Sequence, residues 1–379
     1  MIYLDYNAST PVDPAVREAM WPYLGEYYGN PSSGHIKGRE VSKAVSKARE
    51  QVASLLGAAP KNIVFTSGGT EANNLTIKGV AHSLRGRGRH IITSVIEHPA
   101  VLIPCRFLAQ SGYEVSYVGV DSTGLIDLQA IADEIRPDTI LISIMHANNE
   151  VGTIQPIAEI AGLARERNIL IHTDAAQSCG KIETRVSDLG VDFLSVAGHK
   201  LYAPQGIGAL FIRSGIEIEP LHHGAGHENG RRAGTEPVPA IVGLGVAAEL
   251  AEQQADDAVI IALRDRLHRG LQSKLGDRLV LLGHPHRRLP NTLAVGLRGH
   301  FGADLLAKCP DICASTGSAC HSGTREKSAV LAAMNTPDDV AFGGVRLSVG
   351  RFTTEAEIDE AVTQLVAAAS ESAIPPQCC

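Results

Sequence analysis

A chain of 379 residues can bury a large core and has room for two domains, or for one large domain with an appendage. Its 44% hydrophobic and 20% charged content is ordinary for a soluble enzyme, and a net charge of −7 leaves no electrostatic footprint for nucleic acid. No run has the apolar length of a membrane helix and no signal pattern opens the chain; seven cysteines without repeated spacing fit free thiols better than a disulfide framework, so a cytoplasmic setting is expected.

Read in order, residues 2–5 suggest a short strand, followed by a turn with Pro11 and Pro14. A loop rich in turn formers, Gly29-Asn30-Pro31-Ser32-Ser33-Gly34, precedes a helical pattern with Val41, Val45, Ala48, Val52 and Leu55 on one face. Residues 63–65 form a strand that runs into Thr66-Ser67-Gly68-Gly69-Thr70-Glu71, where a helix opens. Strand-like and helix-like segments then alternate: strands at 90–93, 139–145, 169–174 and 191–196, helices around 101–111 and 157–167. That alternation indicates βα units on a mostly parallel sheet, with a further strand at 208–212. A helical stretch after Pro239 bridges to a second part holding 279–282, 291–297, 345–349 and a last helix at 355–369.

Two strand ends carry chemistry. The run 191–196 ends in Ala197-Gly198-His199-Lys200, delivering an amine to a glycine-rich loop. Partial desolvation there favours the neutral, nucleophilic amine. The run 169–174 ends in Asp174, a carboxylate able to pair with a protonated pyridine nitrogen. Ser67-Gly68-Gly69-Thr70, between strand and helix, offers backbone N–H groups and a helix dipole to an anion. Late in the chain, Ser315-Thr316-Gly317-Ser318-Ala319-Cys320-His321-Ser322-Gly323-Thr324 consists almost wholly of small or hydroxyl residues. It suits a mobile loop and an accessible thiol better than a core.

With this order of motifs the chain resembles the cysteine desulfurases of the class V aminotransferase superfamily, in the group with the longer Ser-Ala-Cys loop. The resemblance runs from Tyr3 to Thr353 and implies an α/β fold of the pyridoxal-phosphate-dependent fold type I. In that fold a large domain, 15–256, carries a mostly parallel seven-stranded sheet, and a smaller α+β domain, 1–14 with 257–379, carries the cysteine loop at about 312–327. It further implies pyridoxal phosphate as cofactor, joined to Lys200, with Asp174 on the ring nitrogen. Gly69, Thr70 and His199 hold the phosphate, Asn149 and Gln177 approach the phenolic oxygen, and His98 stacks on the ring and moves protons. Arg346 clamps the substrate carboxylate with Asn30 as a second contact, whereas Arg351 is structural. Thr235 reaches the phosphate of a partner subunit, which makes a homodimer. Ala197 departs from the family, which has a serine there for the phosphate; Ser195 or water could compensate.

The implied reaction converts L-cysteine to L-alanine and leaves a persulfide on Cys320, for an acceptor protein in iron–sulfur assembly, tRNA thiolation or DNA phosphorothioation. Family members that dock an iron–sulfur scaffold extend beyond the last helix, so a dedicated acceptor such as that of phosphorothioation is credible. A selenocysteine lyase, another class V lyase or transaminase, and a non-catalytic sulfur-transfer scaffold are the alternatives. No metal is expected. Cys309 with Cys313 lacks a second pair at zinc spacing, and His222, His223 and His227 lack partners. Cys105 and Cys179 read as unreactive, and Cys378 and Cys379 as tail thiols.

Overall fold

A computed structural model describes residues 1–253, 257–316 and 327–371. In chain order its strands are β1 (Ile2–Tyr3), β2 (Ile63–Thr66), β3 (His90–Ser94), β4 (Glu114–Val118), β5 (Thr139–Ser143) and β6 (Leu170–Asp174). These are followed by β7 (Phe193–Ala197), β8 (Gly208–Ile212), β9 (Leu279–Leu282), β10 (Thr292–Leu297), β11 (Ile312–Cys313) and β12 (Gly344–Ser348). The large sheet has seven strands in the order β2-β8-β7-β6-β5-β3-β4. Only β8 runs against its neighbours, β2 and β7.

Every residue of β3, β5, β7 and β8 is buried, because helices cover both faces. Adjacent residues divide between the two faces as the pleat requires. Ile92, Ile142, Leu194 and Phe211 pack with Val41, Val52 and Leu244 from the helices Ile36–Leu55 and Val238–Gln253. Ile91, Leu141, Phe193 and Leu210 pack with Leu75, Ile77 and Leu108 from the helices Gly69–Ser83 and Pro99–Gln110. Buried on both sides, these strands read as continuous apolar runs, which is why they stand out in the sequence.

The second sheet is antiparallel, in the order β12-β10-β9. It packs on the helices Ala258–Leu275 and Glu355–Ser370 through Leu267, Leu271, Val295, Leu347, Ile358 and Leu365. The N-terminus joins this part of the molecule, since β1 pairs in parallel with β11 and Asp5 bridges to Ser348.

Several elements go beyond the sequence reading. Helix Pro14–Met20 stands where a turn was expected: Pro14 occupies its first position and Asp13 Oδ1 accepts the N–H of Ala15 at 2.9 Å. Strand β4 lies at the sheet edge with one buried residue, Val118, and so has little apolar signal. The helix Leu128–Glu134 buries one side chain, Ile131. Helix Ala258–Leu275 was readable in principle, because Leu263, Leu267, Leu271 and Leu275 recur every fourth residue and are all buried.

Strands β3, β5, β6 and β7 are parallel, and β2 shares their direction through two antiparallel pairings with β8. The carboxyl ends of all five therefore open on one edge of the large sheet, the position where open α/β sheets collect ligands.

Candidate active site

At this edge lies a cavity of about 430 Å³. Gly69, Thr70, His98, Asn149, Asp174, Gln177, His199 and Lys200, each expected from the sequence, all line it, and Arg346 reaches it from β12. Asn7, Asn73 and Ala197 complete much of the wall.

Each side chain is placed by the turn that follows its strand. After β2, Gly68 takes φ +146°, a conformation that disfavours any side chain, and helix Gly69–Ser83 begins with no side-chain cap. The first backbone N–H groups of that helix consequently face the cavity unpartnered by a capping side chain. Gly208 packs on Gly68, so close that a Cβ would lie 2.7 Å from the Gly68 Cα, which fixes the turn against β8. After β3, His98 caps helix Pro99–Gln110: its Nδ1 accepts the Ala100 N–H at 3.0 Å, leaving the ring proton on Nε2. Withdrawal of the ring from water and the charge of Lys200 lower its pKa against the pull of Asp174, so the ring is neutral at pH 7.

Asp174 closes β6. Its Oδ2 accepts from Asn73 Nδ2 at 2.7 Å and its Oδ1 from the Ala176 N–H at 2.9 Å, and it forms no ion pair among the described residues. The carboxylate is thereby aimed by neutral donors. Lys200 follows β7 in a short 3₁₀ turn, Gly198–Lys200, and its amine donates to the carbonyls of Asn7 and Ala8, the latter at 2.7 Å. Burial first, and then the Arg346 charge, bring its pKa down to about 8, opposed by Asp5 and Asp174. Neighbouring His199 is lowered to about 4 by burial and by Lys200, His98 and Lys181.

Arg346 is already engaged: Nη1 donates to the Asn149 carbonyl and Nη2 to Asp5 Oδ1, both at 2.8 Å. Its Nε is buried without a partner, as is Asn73 Oδ1. Ser195 cannot stand in for the serine missing at Ala197, because its hydroxyl is buried and paired with His172 Nε2 at 3.0 Å.

Other expected residues lie elsewhere. Asn30 is exposed, outside the cavity, and its Oδ1 accepts the Ser32 N–H at 2.9 Å. Thr235 is exposed and does not line the cavity, but its loop is fastened to the turn after β2 by Arg232, whose Nε donates to Glu71 Oε1 at 2.9 Å. Arg351 stacks 4.3 Å from the centre of the Tyr202 ring, as a structural residue would. Cys320, with the loop 317–326 and the tail thiols Cys378 and Cys379, lies outside the described residues. Burial pushes the thiols of Cys105 and Cys179 up to about 12, which makes them inert. Among the described residues no group of three or more His, Cys, Asp or Glu could hold a metal.

Sequence reasoning passed over Asn7, Asn73 and Asp5. Asn73 had a signal, since it stands four residues after Gly69 and shares its helix face. Asn7 had none, because its role comes from loop contacts to Asn149, Gln177, Thr292 and Lys200 across the molecule.

The aminotransferase class-V family profile matches residues 2–361. A cysteine desulfurase IscS of Dictyoglomus turgidum is 47% identical over 362 residues, covering 94% of this chain and 92% of the relative. Among solved structures, a NifS-like protein superposes with a TM-score of 0.92 at 39% identity, covering 98% of this chain and all of that one. Another, SspA in complex with cysteine, gives a TM-score of 0.83 at 38% identity over 93% of this chain and all of that one. The chain belongs to the aminotransferase class-V family and is a pyridoxal-phosphate-dependent enzyme. Within that family its relatives place it with the cysteine desulfurases.

The residues present fit the cofactor. An uncapped helix N-terminus offers donors to a phosphate, a carboxylate held by neutral donors offers an acceptor to a pyridinium N–H, and a half-buried amine lies within reach of an aldehyde. The two orphaned atoms, Asn73 Oδ1 and Arg346 Nε, belong to residues of the same wall.

Proposed function

We propose that the enzyme takes the sulfur of L-cysteine onto Cys320 as a persulfide, releases L-alanine, and passes the sulfur to an acceptor protein. The observation that carries this reading is the convergence of Lys200, Asp174 and Arg346 on one cavity from three different strands.

Bound there, pyridoxal phosphate supplies an electron sink for the charge left when the substrate Cα–H bond breaks. Gly69, Thr70 and His199 would hold its phosphate and Asp174 its ring nitrogen, with Asn149 and Gln177 on the side of the ring oxygen. Lys200 Nζ, neutral above about pH 8, removes the Cα proton. Arg346 takes the substrate carboxylate in a two-pronged contact, exchanging its bonds to Asp5 and Asn149 for that anion. Lys200, protonated by that step, returns the proton to the carbon skeleton, and His98, its proton on Nε2, offers a hydrogen-bond donor to the cavity. The Cys320 thiolate attacks the substrate sulfur: the S–S bond forms as the C–S bond breaks, the C–S electron pair stays with the carbon skeleton, which is reduced by two electrons as the two sulfurs reach the persulfide level, and protonation at Cβ and Cα gives alanine.

The reading includes a homodimer in which the exposed Thr235, held beside the phosphate turn by Arg232 and Glu71, reaches the partner's cofactor. It includes a division into a cofactor-holding part, 15–256, and a smaller part, 1–14 with 257–379, supported by the separate apolar clusters around the two sheets. Iron–sulfur assembly, tRNA thiolation and DNA phosphorothioation are the acceptor classes, and the setting is the cytoplasm.

Incubation with ³⁵S-cysteine tests the proposal. Alanine and protein-bound label should appear in equal amounts, the label should map to Cys320, and dithiothreitol should release it. Alanine formed with no label on Cys320 would contradict the assignment.

A further inference from the structure

The function above leaves one amine beside the cavity without a task. Lys181 is half-buried, and its Nζ lies 3.2 Å from Gln177 Oε1 and 3.5 Å from Asn7 Oδ1. No carboxylate lies within ion-pair distance of it among the described residues. It does not line the cofactor cavity but two neighbouring ones. A buried lysine whose partners are two amide oxygens gains little stability from its position.

Its effect is on orientation. An ammonium donates only, so the charged Lys181 requires the oxygen of the Gln177 amide to turn toward it, and the neutral amine keeps two N–H groups with which to hold that oxygen. The NH₂ of Gln177 is then left for the Asn7 carbonyl, at 2.9 Å, and for the cavity that Gln177 lines. The Asn7 carbonyl favours the same orientation, because a flipped amide would set its oxygen 2.9 Å from that carbonyl oxygen. Lys181 holds the other end of the amide in the same sense, at 3.2 Å.

We infer that Lys181 is a positioning residue for the cofactor, locking the Gln177 amide with its N–H side toward the ring oxygen of pyridoxal phosphate. The inference rests on the role of Gln177 proposed above.

The test compares cofactor-free wild type with Lys181→Met, Lys181→Arg, Gln177→Ala and the Lys181→Met/Gln177→Ala pair. Two quantities are read: the equilibrium affinity for pyridoxal phosphate, and the pH midpoint of the visible absorbance band of the loaded protein. Lys181→Met should weaken binding by about 3- to 10-fold, the loss of one hydrogen bond, and move the midpoint in the direction that Gln177→Ala moves it. Lys181→Arg, which keeps the donors, should restore both. The pair should be no worse than Gln177→Ala, because the two residues act as one unit. Wild-type values for Lys181→Met beside an impaired Gln177→Ala overturn the inference, and so do losses that multiply in the pair. Wild-type values for Gln177→Ala itself remove the assignment of Gln177 and the inference with it. If Lys181→Met yields no folded protein, Lys181→Gln, whose amide can face either way, is judged by the same outcomes.

Discussion

Five strands of the large sheet deliver side chains or backbone donors to the cavity, whereas the three-stranded sheet sends it one described side chain, Arg346 of β12. The two contributions are held differently. His98, Asp174 and Lys200 are fixed by the turns directly after β3, β6 and β7, through contacts such as His98 Nδ1 to Ala100 N and Asp174 Oδ1 to Ala176 N. Arg346 is held by groups more than 190 residues away, Asn149 and Asp5. The first set suits a resident cofactor. In the function proposed above, the second would trade an internal carboxylate for a visiting one, as substrate recognition requires.

That contrast is broken most severely at Lys200. Lys200→Ala should lower turnover by about 10⁴-fold or more while the protein keeps its fold, because among the described residues no other amine lines the cavity. Borohydride reduction of the wild type should place the pyridoxyl adduct on Lys200 by peptide mass spectrometry. An adduct on Lys181 would reverse the roles given to the two amines.

The substrate side should respond separately. Arg346→Lys keeps the charge but loses the fork, so KM for L-cysteine should rise by about 10- to 100-fold. Cofactor affinity should change by less than about threefold. A variant that loses the cofactor as readily as it loses the substrate would erase the distinction between the two regions.

The pH dependence sharpens the same point. In the cofactor-free protein the Lys200 amine, lowered to about 8 by burial and by Arg346, is mostly protonated at pH 7. Only the neutral amine captures the aldehyde. The capture rate should therefore climb about tenfold per pH unit below 8 and level off above it. A rate still climbing tenfold between pH 9 and 10 would mean that the amine is unshifted.

The smallest effect concerns the missing hydroxyl. Ala197 lines the cavity, and its Cβ would lie 3.3 Å from a Cβ built on Gly69. Ala197→Ser adds a donor beside the phosphate turn and should strengthen cofactor retention by about 0.5–1.5 kcal/mol. Unchanged loss on dialysis would show that backbone N–H groups already satisfy the phosphate.

Legibility in the sequence follows the same divide. The central strands of the large sheet and the order Asp174, Lys200 could be read because buried parallel strands are apolar along their whole length and their chemistry sits at the next turn. Edge strand β4 and helix Leu128–Glu134 were missed because each buries a single residue. Asp5 and Asn7 carried no local signal, since their partners are 142 to 341 residues away. The compensation expected from Ser195 failed for a reason of the same kind: its hydroxyl is paired with His172, a strand away.

The claim on which the rest depends is that cofactor chemistry and sulfur capture reside in separable parts of the chain, with Cys320 entering only after the Cα proton has left. Rapid mixing of Cys320→Ser with L-cysteine, followed by an alanine assay, tests it directly. The visible spectrum should change on mixing as in the wild type, with alanine formation down by about 10²-fold or more, since a serine hydroxyl is a poor nucleophile toward sulfur and cannot store it. Near-normal alanine production by Cys320→Ser would contradict the account and make the protein a lyase that expels sulfur directly.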